Sequence, residues 1–223
     1  MFDSETGLWT RQPLRVPYRM PYNGKRGSTY RLVTLEVALT RDGILHWLVC
    51  KPHLEGYVPD EFAGVLAFDP FSFEYGLVPL PDGQFSGIPT AFVKHRVRLG
   101  VVRGRLWLSQ MVEIEEAAGF GLKVWELDTV VDSWRLVHDV VLRKSGECSL
   151  LCVLAFDPSN GSVVYLVRDR EVYRYEIGLD KYEKACEFPY YPKESIHMMK
   201  QRIALCLKVV TIVHPLWPMR LQI

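Results

Sequence analysis

Long apolar runs are missing from this 223-residue sequence. The two longest, near Leu150–Phe156 and Ile203–Val213, fall short of the roughly 20 apolar residues that a membrane helix needs, and Lys208 interrupts the second. No membrane partner is expected. The opening MFDSETGLWT has neither the basic nor the apolar region of a secretory signal, so the expected location is cytoplasmic, nuclear or both. Cysteine is sparse: Cys50, Cys148, Cys152, Cys186 and Cys206 are odd in number and scattered. That pattern excludes a disulfide framework and leaves reduced, mostly buried thiols. A dominant sign of charge is missing too, with 27 Lys and Arg against 26 Asp and Glu. Basic residues cluster only briefly, at Lys25-Arg26, Arg96 with Arg98, Arg103 with Arg105, and Arg168 with Arg170. Affinity for nucleic acid draws on counterion release from a basic surface, so no nucleic-acid partner is expected.

Catalytic constellations are equally scarce. Gly83-Gln84-Phe85-Ser86-Gly87 has the wrong spacing for a nucleophile elbow. Neither Gly119-Phe120-Gly121 nor Gly24-Lys25 sits in a phosphate-binding glycine pattern. Cys148 and Cys152 have a spacing that zinc accepts, but no second pair of ligands lies near them. Glu113, Glu115 and Glu116 read as a solvated charge run rather than a hydrolase pair. His46, between Leu45 and Trp47, reads as a packed strand residue. Asn160-Gly161-Ser162 is a sequon, but Asn-Gly is first a hairpin turn. No catalytic residue, metal or cofactor is assigned, and the expectation is a non-enzyme.

What the sequence does have is strands. Apolar and polar residues alternate over Val97–Val101, Lys123–Leu127 and Glu171–Ile177, rich in β-branched and aromatic residues and punctuated by Gly and Pro. Helical signals are limited to a turn or two at Glu113–Ala118 and Lys193–Lys200. A glycine followed by an apolar strand with an aromatic recurs: Gly43-Ile44-Leu45-His46-Trp47, Gly104-Arg105-Leu106-Trp107-Leu108, and Gly161-Ser162-Val163-Val164-Tyr165-Leu166, at spacings of 61 and 57 residues. A strand, an acidic turn and another strand follow. Val65–Pro70 leads to Tyr75–Leu80, Val124–Asp128 to Ser133–Val137, and Val172–Ile177 through Asp180 to Tyr182–Phe188. Glycine permits the first tight turn, and Asp bonds its own backbone in the second. A unit of two hairpins cannot bury both of its faces alone. Stacking such units does, which is the logic of a propeller blade. The period exceeds the roughly 40–50 residues of a common blade, and long loops absorb the excess.

The expected fold is therefore all-β, a partial or small β-propeller of four-stranded antiparallel blades, forming one domain over 1–223. Repeats fall near 43–81, 104–138 and 161–188, with 1–16 the remnant of an N-terminal blade. The chain opens at a hairpin turn, Phe2-Asp3-Ser4-Glu5-Thr6-Gly7-Leu8-Trp9, so upstream material is expected in a full-length relative. Trp47, Trp107, Trp125 and Trp134 recur with the blades and are expected to pack between them.

In this order, that opening segment, Gly43–Trp47, Val65–Pro70 with Leu77–Pro81, Leu99–Leu108, Lys123–Leu127, Ser133–Val137, Tyr173–Ile177 and His214–Pro218 resemble the plant F-box-associated, kelch-like propeller family. The resemblance implies a protein-interaction domain that selects the target of a cullin-type ubiquitin ligase. Contact with the ligase's Skp1-type subunit runs, in such proteins, through an N-terminal F-box, which is absent from this chain. The alternatives are a propeller-fold glycan-active enzyme and a truncated product without stable function.

Recognition is expected on loops at one face: Lys51–Phe62, Pro81–Lys94 and Met111–Phe120. Tyr57, Phe62, Phe85 and Phe120 are the candidate partner-binding residues. Exposed, they would be interface anchors; buried, they would pin the loops. The target protein itself is unknown.

Overall fold

Side chains along a strand alternate between its two faces, so a strand buried at successive positions must be covered on both sides. β9 (Arg105–Ile114) is of this kind, with Leu106, Trp107, Leu108, Ser109, Gln110 and Met111 in succession all buried. In the computed structural model this demand is met by stacked sheets. The structure describes residues 2–3, 8–9, 31–32, 38–40, 42–51, 61–81, 83, 85, 96–114, 119–129, 131, 133–143, 151–169 and 171–187.

Besides the short hairpin β1 (Phe2–Asp3) and β2 (Leu8–Trp9), the described strands form three antiparallel sheets. The first runs β3 (Arg31–Leu32), β5 (Leu45–Lys51), β6 (Glu61–Phe68), β7 (Tyr75–Val78), with β4 (Ala38–Leu39) also paired to β5. The second runs β8 (Val97–Val102), β9, β10 (Gly119–Asp128), β11 (Ser133–Arg143). The third runs β12 (Leu151–Phe156), β13 (Val163–Arg168), β14 (Glu171–Glu176), β15 (Lys181–Glu187). The second and third sheets are meanders of chain neighbours; in the first, β3 and β4 both pair with β5, and β5, β6 and β7 follow in chain order. The first strands lie together, β4 beside β8 and β8 beside β12. The last strands lie at the outside, with β15 exposed along its whole length.

Two apolar layers bind the sheets. Leu48, Cys50 and Val65 of the first sheet meet Leu106, Leu108, Trp125 and Leu127 of the second. The opposite face of the second, with Trp107, Met111, Phe120, Leu122 and Val124, meets Leu151, Val153, Phe156, Val164, Leu166 and Tyr175 of the third. Each large aliphatic side chain so buried contributes roughly 1.5–3 kcal/mol. Of the tryptophans expected between sheets, Trp107, Trp125 and Trp134 lie at the two seams, whereas Trp47 packs on Val49, Leu66 and Leu77 of its own sheet. The Trp107 ring lies 5.9 Å from Phe156, and Trp134 Nε1 donates to the Pro79 carbonyl at 2.6 Å. Polar clamps complete the second seam: Arg98 Nε donates to the Val153 carbonyl, Arg103 Nε to the Ser159 carbonyl, and His138 Nε2 to the Gly161 carbonyl.

The recurrent glycines mark hairpin turns within each sheet rather than its beginning. Arg103 and Gly104, with φ of 51° and 78°, form the two-residue turn between β8 and β9, the left-handed pair that a tight hairpin requires. Each sheet therefore starts one strand before the repeat's glycine.

One local expectation fails. Glu113 and Ile114 end β9, with Ile114 opposite Gly119, instead of starting a helical turn. Ladder pairing with β10 outweighs helical propensity at these two residues. Residues 115–118 and 193–200 lie outside the described residues.

Candidate protein-interaction surface

In a four-stranded meander the first and third turns lie at one end of the sheet and the second turn at the other. The described strand ends that flank the loops singled out from sequence lie at the second end: Lys51 opposite Glu61, Ile114 opposite Gly119, and Val78 and Val97, where β7 ends and β8 begins. Tyr57 lies outside the described residues. Phe62, half-buried in β6, meets the ring of Phe85 edge-on at 6.0 Å. Phe85 is 4% exposed and packs 5.7 Å from Trp125. Phe120 is also 4% exposed and belongs to β10, not to a loop. Phe85 and Phe120 are thus core residues: their rings fill the inter-sheet layers and are not offered to a partner.

The first end of the sheets is different. Its third turns carry large apolar side chains into solvent: Phe71 (76% exposed), Phe73 (57%) and Tyr75 (43%) on the first sheet, Val131 (64%) on the second, and Leu179 (68%) on the third. Sequence reasoning missed these residues. The signal was present in Phe71-Ser72-Phe73-Glu74-Tyr75, where aromatics follow an Asp-Pro turn in a segment that a plain turn would leave polar.

The aromatic turn is built from Asp69. Its Oδ1 accepts from the Phe71 amide and its Oδ2 from the Ser72 hydroxyl, each at 2.8 Å. Asp69 N donates to the Glu74 carbonyl at 2.9 Å, closing the loop. The bond from the Phe71 amide, then that from Ser72, hold the Asp69 carboxyl below its ordinary pKa, so the turn keeps its charge at neutral pH. Phe73 sits at φ 59°, in the left-handed region, with its ring edge-on to Phe68 at 6.3 Å. The Phe71 ring lies over the β4–β5 turn, where a Cβ built on Gly43 would approach its Cε2 within 3.0 Å.

At the same end of the second sheet, Glu126 is buried beneath two largely exposed guanidiniums, Arg105 at 2.7 Å and Arg135 at 2.5 Å. Burial raises the Glu126 pKa. The hydrogen bonds and charges of the two arginines outweigh it and bring the carboxyl below its usual range. This arrangement ties three strands together and sets two guanidiniums against one carboxylate, a net positive charge. Among the described residues no group of three His, Cys, Asp or Glu side chains is placed to hold a metal ion, and no helix is long and apolar enough to cross a membrane.

Antiparallel meanders stacked face to face, with first strands together and last strands outermost, define a β-propeller. The chain matches the family model described as "F-box protein At3g26010-like, beta-propeller" over residues 1–185 and belongs to that family. No curated protein matches it. Membership of an F-box protein propeller family points to a role in protein interaction.

Proposed function

We propose that this chain is the substrate-recognition domain of an F-box-type adaptor, binding a target protein without turning it over, and that the end of the propeller carrying the third turns is its recognition surface. The observation that carries the reading is the set of exposed side chains Phe71, Phe73, Val131 and Leu179 on turns at one end of the sheets, in a family of F-box protein propellers. Large apolar residues in solvent cost solubility and are what an interface uses as anchors. Coupling to a Skp1-type subunit of a cullin ligase belongs, on this reading, to an F-box, and the target is met in the cytosol or nucleus. No cofactor is needed.

The test is capture of a partner by the immobilised chain from an extract of cells that express it, beside a Phe71→Ser/Leu179→Ser double variant. A protein retained by the wild type and lost from the variant supports the reading. Retention of nothing above background by a folded wild-type chain overturns it.

A further inference from the structure

We propose that the turn at residues 69–75 binds a basic, extended segment of the target, with Arg or Lys side chains laid over the Phe71 and Phe73 rings and paired with the carboxylates beside them. This rests on the protein-binding reading and names the partner's chemistry.

Three observations converge on this turn. First, Phe71, Phe73 and Tyr75 alternate along it and all three are exposed. Second, Phe73 occupies a left-handed backbone position, φ 59°. Glycine adopts that conformation freely and asparagine often does, whereas a bulky side chain there is strained. The turn itself is already closed by Asp69 and Ser72, so the phenyl ring is not what makes the chain reverse. Arg103, Asp169 and Asp180 share this backbone region at other turns, so what sets Phe73 apart is the bulky, exposed ring carried there. Third, the described charged side chains on this tip are carboxylates: Asp69 and Glu74 within the turn, and Asp42 next to Gly43, the glycine beneath the Phe71 ring.

The chemistry selects among occupants. Cations are drawn to aromatic faces by the ring quadrupole, and carboxylates in the same turn add charge attraction. An acidic segment would be repelled. A wholly apolar one would desolvate Asp69 and Glu74 with no compensation. A second copy docking the same tip about a two-fold axis would set these carboxylates against themselves.

The experiment is fluorescence anisotropy of the whole chain with a labelled Gly/Ser-spaced peptide carrying several arginines, and with matched peptides carrying Gln or Glu in their place. The Arg peptide should bind best and the Glu peptide least, with affinity falling as salt is raised. Phe71→Ser, Phe73→Gly and Glu74→Lys should each weaken the Arg peptide by about tenfold. Phe73→Gly keeps the left-handed turn at lower strain, so a loss there reports the ring and not the fold. Equal binding of the Arg and Gln peptides, binding of no peptide, or binding indifferent to all three variants overturns the proposal. In the capture experiment, a partner retained equally by wild type and by Phe71→Ser removes this tip but leaves the protein-binding reading standing. Failure of the wild type to retain any partner removes the reading itself.

Discussion

Gly161 lies under the indole of Trp107: a Cβ built on the glycine would come within 2.5 Å of Cη2 and 3.0 Å of Cζ2. The contact crosses from the third sheet to the second, and the same turn gives its Gly161 carbonyl to His138 Nε2 at 2.9 Å. Gly161→Ala must therefore push the ring out of a packed layer that also holds Phe156. Overpacking of this kind costs about 1–3 kcal/mol. Gly178, whose added Cβ would meet nothing within 4 Å, is the control. Gly178→Ala should be neutral or stabilising by up to about 1 kcal/mol, through the unfolded chain. Urea midpoints of the two variants check the contrast.

Glu126 makes part of the stability pH-dependent. Its burial opposes ionisation, but Arg105 and Arg135 win and hold the folded pKa below the ordinary value. A carboxyl depressed on folding adds stability above its unfolded pKa, near 4.3 for Glu. That stability is lost as pH falls through the folded pKa. Glu126→Gln should cost about 1 kcal/mol at neutral pH, since both guanidiniums are largely hydrated. It should also flatten the acid limb of a plot of urea midpoint against pH. An acid limb identical to wild type would show that the two arginines do not act through this carboxylate.

The architecture was legible because stacked sheets write themselves into period-two patterns. Leu106 and Leu108 face one seam while Trp107 and Met111 face the other, and that alternation survives in any local window. The turn chemistry was legible for the same reason: Asp69 and Gly104 act on their immediate neighbours. The candidate surface was not. Whether a phenylalanine is core or contact depends on what lies opposite it, and no local window contains that. Phe85 and Phe71 both follow turn-forming residues, yet Phe85 meets Trp125 across a seam while Phe71 lies against the small residue Gly43 and is mostly exposed. Phe120 was misplaced because the β9–β10 hairpin runs further than its Glu- and Ala-rich tip indicates.

At the outer edge of the third sheet, Tyr175 and Tyr182 pair with ring centroids 4.4 Å apart, and the Tyr175 hydroxyl donates to Asp180 Oδ1 at 3.0 Å. Desolvation, then the carboxylate of Asp180, raises both phenol pKa values, that of Tyr182 to about 12 and that of Tyr175 further. A phenol raised on folding gives stability that is complete below the unfolded pKa of about 10. That stability drains away as pH climbs toward the folded value. Alkaline titration should show tyrosinate absorbance from these two groups only with or after loss of the fold. Tyr175→Phe, which removes the bond to Asp180, should cost about 1 kcal/mol and shift alkaline unfolding. Early ionisation of both groups in the folded chain would contradict the raised values.

The two seams should open independently. The second is clamped by Arg98, Arg103 and His138 on main-chain carbonyls of the third sheet, and disturbing the first leaves those bonds in place. At the first seam, Trp134 Nε1 to the Pro79 carbonyl ties the outermost strand of the second sheet to the end of the first. Trp134→Phe keeps an aromatic ring against that apolar layer and removes the donor, so the expected loss is about 1 kcal/mol. Hydrogen exchange can locate it. Amides of β6 and β7 should exchange faster in the variant, while those of β12 and β13 hold their protection as long as exchange runs through local opening. Equal acceleration in all three sheets would mean that the stack opens as one cooperative unit and that this bond bears on global stability alone.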